Sequence, residues 1–219
     1  MGAWSYSSLT AFENCPRRFF LTRVAKTVVE PQTEATLHGN AVHKALEISV
    51  RDKTPLPTKY GTYTPLVNAV LAATGTKHAE LKFGLTRNLT PTGFFAGDVW
   101  CRGVLDLQVV NPGVVTVLDW KTGKPKPDAD QLMLFAGAAF AHHPHAEKVK
   151  TGYAWLAHNK LDTEVFARSD VPRIWGEFTP RVQRMEEAAK RNEYPPRPSG
   201  LCKAWCPVSK AKCEFSGKS

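Results

Sequence analysis

The sequence predicts an α/β fold in which a central mixed sheet is flanked by helices and followed by a cysteine-cluster tail. Three observations carry this. Short apolar runs punctuated by turn residues crowd the middle of the chain. A helical pattern then precedes one more strand, an order that suits a sheet covered by helices. The last twenty residues hold three cysteines and little that could form a core.

Taken in order, Ser7 or Ser8 is placed to cap a first helix through Thr10 and Phe12, which Pro16 disturbs or restarts. Gly39 to Val50 reads as a second helix, with Ala41, Val42, Ala45, Leu46 and Ser49 on one face. Thr54 to Gly61, with two prolines, reads as a loop, and Val67 to Ala73 as a short helix. Ala79 to Leu85, Phe94 to Trp100 and Arg102 to Val110 read as strands. Asn111-Pro112-Gly113 is a turn signal, so Val114 to Trp120 closes an antiparallel hairpin that Thr122-Gly123-Lys124-Pro125 ends. A helix over Asp128 to Ala141 carries acidic residues at its start, where the dipole favours them. Strands at Lys148 to Leu156 and Glu164 to Arg168 follow. The long helix Pro172 to Arg191 starts with proline in its first turn, and Tyr194 to Pro198 is a stiff extended connector.

The 219 residues are 42% hydrophobic, enough for a core and against a disordered chain. Lys and Arg number 29 against 20 Asp and Glu, a formal charge of +9 that suits a polyanionic partner without requiring one. No apolar run reaches the ~20 residues of a membrane span. The start, Met1-Gly2-Ala3-Trp4-Ser5-Tyr6, has no secretory pattern, so a cytoplasmic location is expected, where thiols stay reduced. Five cysteines there suit metal ligation better than disulfides.

Gly103-Val104-Leu105-Asp106-Leu107 sets one carboxylate in an apolar strand, and Val117-Leu118-Asp119-Trp120-Lys121 ends the next. Asp119 and Lys121 are two apart and project from one face, and the hairpin brings Asp106 beside them. Carboxylates held close repel, and a divalent cation relieves them. Oxygen ligands select magnesium or manganese, and such an ion activates water and shields phosphate oxygens. Lys121 can position the water or stabilise developing charge. A plain salt-bridge cluster at a sheet end is the structural alternative.

This run, Gly103-Val104-Leu105-Asp106 with Leu118-Asp119-Trp120-Lys121-Thr122-Gly123, resembles the PD-(D/E)XK nuclease superfamily, and more narrowly its RecB-like exonucleases, including the CRISPR-associated and phage types. The resemblance implies a restriction-endonuclease-like core, with Asp106 and Asp119 as metal ligands and Lys121 as the activating lysine. Leu37 to Glu47 is similar to the family's G-x-x-x-H helix and carries a metal-ligand role to His43, whose imidazole tilts preference towards manganese. The Trp120 carbonyl is a further expected ligand. Gln131-Leu132-Met133-Leu134-Phe135 resembles the Q-x-x-x-Y motif with Phe for Tyr, and gives Gln131 a supporting catalytic place. Glu80 sits where some relatives carry an acidic residue before the sheet.

Cys202, Cys206 and Cys213 follow the proline connector, while Cys15 stands near the start. Four thiolates can hold zinc or an iron–sulfur cluster. One distant cysteine plus a trio resembles the [4Fe-4S] staple of RecB-like nucleases, with each gap one residue longer than common, so zinc stays open. The resemblance implies one domain over 1–219, in which 1–30 and 195–219 form the cysteine region around a core of 31–194. Cys101 reads as a buried core thiol.

Arg17, Arg18, Arg23 and Lys26, then Lys121, Lys124 and Lys126, then Lys203, Lys210 and Lys212 make a candidate phosphate path. Trp4, Tyr6, Phe19, Phe20, Trp120 and Trp205 are stacking candidates, Trp120 and Trp205 foremost. The expectation is a Mg2+- or Mn2+-dependent deoxyribonuclease, exonucleolytic and favouring single-stranded ends. DNA is its partner, with a recombination or replication protein and an oligomer as further expectations, in the host cytoplasm if phage-encoded. The rivals are a catalytically silent DNA-binding module of the same fold and a zinc-stabilised interaction protein.

Overall fold

The computed structural model describes residues 2–126 and 128–217; Met1, Pro127, Lys218 and Ser219 lie outside the described residues, and three of these fall in the expected cysteine region. The chain forms two compact units, Glu34–Gly176 and the discontinuous pair Met1–Thr33 with Glu177–Ser219.

The central unit is built on a six-stranded sheet in the order β2-β1-β3-β4-β5-β6, with β1 Thr76–Leu85, β2 Pro91–Thr92, β3 Cys101–Asn111, β4 Val114–Lys121, β5 Lys148–Trp155 and β6 Lys160–Ala167. All neighbours are antiparallel except β4 and β5, which run parallel. The parallel pair needs a crossover, and the helix Ala129–His142 supplies it. The β3–β4 hairpin turns at Gly113, whose φ of +72° suits a residue without a side chain.

Two layers cover this sheet. On one face Val42 and Leu46 of the helix Glu34–Asp52, with Leu66, Val67 and Val70 of the helix Thr64–Leu71, pack on Leu107, Val109, Leu118, Trp120 and Ala154. From Leu132 to Phe140 the crossover helix is apolar on every side and wholly buried, while Asp130 and Gln131 keep its first turn polar. Gly137 lets the segment with Ile174 and Trp175 approach it closely: a Cβ there would lie 2.9 Å from Ile174 Cγ2. That helix runs Val171–Arg191, with Pro172 in its first turn and Pro180 inside it.

Two sequence expectations change. Phe94–Trp100 is not a strand: only Pro91–Thr92 pairs, with Gly84 and Leu85, and the chain then makes turns at Phe94–Phe95 and Gly97–Asp98. Thr92 Oγ1 donates to Asp98 Oδ1 at 2.7 Å, which holds this stretch as a loop between Gly93 and the return to Leu85 at Trp100. The first helix, Tyr6–Asn14, is capped not by Ser7 or Ser8 but by Ser5, which accepts from the Ser8 amide while Ser8 reaches back to Ser5. Pro16 restarts the chain in a short turn, Pro16–Phe19.

Within the discontinuous unit, polar and aromatic contacts tie distant segments. Arg181 grips Glu13 through Nε and Nη2 at 2.8 and 2.7 Å, a bidentate pair. Phe20 stacks on Tyr194 with ring centroids 4.7 Å apart, and Arg17 Nε donates to the Tyr194 carbonyl. Lys212 Nζ donates to the Thr27 carbonyl at 2.7 Å.

Candidate active site

The site is assembled where two strand ladders open. Pairing of β3 with β4 runs from Asn111↔Val114 to Leu107↔Leu118 and stops. Asp106 and Asp119 are the next opposed residues, so they flank the gap. In place of a ladder bond, the Trp120 amide donates to Asp106 Oδ2 at 2.8 Å. On the other side, β1 pairs with β3 at Ala79↔Leu107 and Leu81↔Leu105 but skips Glu80 and Asp106 between them. Glu80 has a φ of +49°, left-handed backbone inside a strand. Such a conformation is strained by ~1–2 kcal/mol for a residue with a side chain, and strain of this kind collects at functional sites. Glu80, Asp106 and Asp119 therefore stand in a row across β1, β3 and β4.

His43 reaches the row from the helix Glu34–Asp52, its Nδ1 3.4 Å from Asp106 Oδ2. The ligand atoms of His43, Glu80 and Asp106 all lie within 4.8 Å of one another, the one such metal-ligating group among the described residues. Asp119 is 6% exposed and is held from the far side. Gln131 Nε2 donates to its Oδ1 at 3.0 Å. Lys121 Nζ lies 2.6 Å from its Oδ2, an ion pair that leaves this buried oxygen facing a single cation. Tyr153 fixes Gln131 in turn: its hydroxyl lies 3.1 Å from Gln131 Oε1 and 2.8 Å from the Asp128 carbonyl, donating to one at a time. The Lys121 ammonium also sits 5.2 Å from the Tyr153 ring centre.

The charges oppose one another. Burial first, and then the Asp106 carboxylate, push Asp119 up to about 6, against the pull of Lys121 and His43. Burial and Asp106 likewise raise Glu80. At His43 burial works against protonation, but the bond to Asp106 and the charges of Asp106, Asp119 and Glu80 outweigh it and raise the imidazole. Every shift has one origin, an excess of partly desolvated negative charge. A hard divalent cation fits this set: it would relieve the row of carboxylates.

The structure thus brings together the predicted Asp106, Asp119, Lys121, Gln131 and His43, and adds Glu80 to the innermost group. Tyr153 was missed. Its signal lay in topology, since the parallel register sets Asp119 beside Tyr153, and a buried tyrosine hydroxyl needs a partner. Trp120 contributes its amide to Asp106, while its ring is 2% exposed and packed in the core, so it cannot stack on a base. Trp4 and Phe19 are buried as well, whereas Trp205 is 77% exposed. Arg18 and Arg23 are engaged by Glu30 at 2.7 and 3.7 Å, which reduces their attraction for phosphate.

Cys15, Cys202, Cys206 and Cys213 line one small cavity of the discontinuous unit, with Arg17, Arg18 and Arg197 around it. Backbone amides point at two of the sulfurs, Arg197 N to Cys15 Sγ at 3.5 Å and Ser199 N to Cys202 Sγ at 3.3 Å. No three of the four sulfurs lie within 4.8 Å of one another. Thiolates on zinc, at about 2.3 Å from the metal, would be roughly 3.8 Å apart. Cys101 is buried, and burial raises its thiol.

A family model of the PD-(D/E)XK nuclease superfamily matches residues 3–87 and 69–213. Among solved structures, a candidate exonuclease from Eubacterium rectale superposes with a TM-score of 0.51 at 13% identity, over 91% of this chain and 85% of that one. At that identity the likeness speaks for the fold. The protein SSO0001 gives 0.45 at 15% identity, over 94% and 83%, too distant to carry an argument. No curated protein matches the sequence.

Proposed function

Because the chain belongs to the PD-(D/E)XK nuclease superfamily, we propose that it is a Mg2+- or Mn2+-dependent deoxyribonuclease of the RecB-like branch, working as an exonuclease on single-stranded ends. One observation carries the reading. Three carboxylates face one another across adjacent strands at the point where both ladders open, and His43, Glu80 and Asp106 bring their ligand atoms within 4.8 Å of one another. A structural salt-bridge cluster would have balanced its charges; this one has an excess of negative charge.

In this reading His43, Glu80, Asp106 and Asp119 hold the ion, with the Trp120 carbonyl as a further ligand. When bound, the ion supplies positive charge at the phosphate and makes water easier to deprotonate. Lys121 orients the attacking water and stabilises charge building on the phosphate oxygens. A new P–O bond forms from water while one ester P–O bond breaks, leaving a hydroxyl on one fragment and a phosphate on the other. Gln131, locked by Tyr153, keeps Asp119 turned towards the gap.

The discontinuous unit would be the cysteine-held part of this one nuclease domain, with Cys15, Cys202, Cys206 and Cys213 binding a [4Fe-4S] cluster. Four cysteines around one cavity and amides aimed at two of the sulfurs support a thiolate-held metal group there, and the wide spacing of the sulfurs suits a cluster. The cluster would join distant parts of the chain and order a tail that has little core.

Digestion of end-labelled single- and double-stranded DNA, with manganese, with magnesium and with EDTA, tests the proposal. Metal-dependent release of short products from single strands is expected, absent in Asp119→Ala and Lys121→Ala proteins that keep their fold. Cleavage by both variants at the wild-type rate, or none by the wild type with any divalent ion, overturns it.

A further inference from the structure

The loop that replaces the expected strand presents two adjacent phenylalanines. Their rings meet edge to face, 4.8 Å between centroids, and Phe95 is 79% exposed. Two cations flank them. Lys82 Nζ lies 5.7 and 5.8 Å from the Phe94 and Phe95 ring centres, and the Arg102 guanidinium 5.0 and 5.9 Å. Arg102 also donates to the Phe94 carbonyl at 3.4 Å. Neither cation has a carboxylate partner among the described residues. The loop is braced by the Thr92–Asp98 bond and by Ala96 N to Gly93 O at 3.0 Å, so the rings are held out on a fixed turn.

The position relates this patch to the carboxylates. Lys82 and Glu80 line one groove of about 1100 Å³, together with Lys53, Lys77, Glu47 and an Arg51 paired with Glu47 and Asp52. The groove therefore has a candidate metal ligand in its wall, basic side chains along it and an aromatic pair where Lys82 leaves it. Basic residues attract phosphates, and an exposed aromatic face takes an unpaired base. Phe94 is half-buried and backs the exposed Phe95, so the turn presents one open ring face beside two cations.

We propose that Phe94 and Phe95, with Lys82 and Arg102, form a base-stacking clamp for single-stranded DNA, holding the strand whose phosphate reaches the Glu80–Asp106 gap. This rests on the nuclease reading and gives it a residue-level source of single-strand preference. The cations grip the flanking phosphates and the rings take a base, so the clamp selects unpaired nucleotides without reading sequence.

The test is equilibrium anisotropy in EDTA, with fluorescein-labelled oligo(dT), an abasic strand of equal length and a blunt duplex. Wild-type protein should bind oligo(dT) more tightly than the abasic strand by roughly fivefold to a hundredfold. Phe95→Ala should remove most of that preference, Phe94→Ala with Phe95→Ala all of it, and Phe95→Trp should retain it. Circular dichroism checks that each variant is folded; exposed Phe95 makes the single variant safe. Equal wild-type affinity for the two single strands overturns the clamp. So does a folded double variant that keeps the preference, as a surface for another protein would do, or that weakens duplex and oligo(dT) by the same factor. Binding is read without cleavage. A wild type that cleaves with manganese but lacks the base preference sinks only the clamp, whereas one that cleaves no DNA sinks the nuclease reading.

Discussion

Glu80 and Asp106 oppose each other across β1 and β3 at the one step where that ladder is broken, and Glu80 is in left-handed backbone there. Like charges directly opposite destabilise a sheet unless something positive lies between them. Removing one should relieve the apo fold and weaken the ion site. Glu80→Gln is expected to raise the manganese concentration for half-maximal cleavage about tenfold or more, in line with other perturbed metal shells. A titration of cleavage against manganese checks this; an unchanged midpoint would remove Glu80 from the site.

Lys121 stands 2.6 Å from Asp119 and can serve either as structural counter-ion or as reaction partner. The two roles separate in kinetics. Lys121→Met should lower single-turnover cleavage by ~10²–10³, the range for losing one positioned charge donor. Metal binding, followed by the quenching of tryptophan emission or by calorimetry, should persist.

Asp119 gives a pH prediction for the metal-free protein. Its folded pKa is raised, so its contribution to stability is full below the unfolded value of about 3.9 and is lost as pH rises through about 6. Asp119→Asn in EDTA should therefore be more stable than wild type at pH 8, by about 3 kcal/mol, with a higher melting temperature, and no different at pH 4. Activity falls while stability rises. Thermal melts across this range decide; a gain that is largest at pH 4 would reverse the sign and defeat the account.

Tyr153 should act through Gln131 without touching the phosphate. Tyr153→Phe keeps the ring but loses the hydroxyl held between Gln131 and the Asp128 carbonyl. A loss of one such bond, about 1 kcal/mol, predicts a several-fold fall in cleavage rate at saturating DNA. The KM for DNA should stay as it was. A shift confined to KM would place Tyr153 in substrate binding instead.

The cysteine cavity gives a spectroscopic prediction. Anaerobic purification should yield a brown protein with a broad visible band, and Cys15→Ser should lose both colour and several degrees of melting temperature. Stoichiometric zinc and no iron by elemental analysis would replace the cluster with zinc.

Much of this site was legible because its residues sit in regular elements. Asp106, Asp119 and Lys121 lie on the two strands of a hairpin whose turn the sequence marks, whereas His43 and Gln131 were picked out only by their resemblance to the family's helix motifs. Tyr153 was not legible, because its neighbour Asp119 is brought to it by a parallel crossover rather than by any local motif. Glu80 was seen only weakly, since the backbone flip that places it has no sequence marker. The Phe94–Trp100 run was misread because aromatic residues favour strands, while Gly93, Gly97 and the Thr92–Asp98 bond decide for a loop. Trp120 misled for the opposite reason: a tryptophan beside catalytic groups looks available, and its register turns it into the core.

The unit that holds the four cysteines is made of two pieces, Met1–Thr33 and Glu177–Ser219, separated in sequence by the whole sheet. During synthesis the first piece leaves the ribosome roughly ten to forty seconds before the last cysteine follows it. Cys15 must spend that interval as an unligated thiol, while the contiguous sheet unit can already complete itself. The proposed cluster could therefore be completed only after the whole sheet unit has been made, and until then Cys15 would stand open to oxidation.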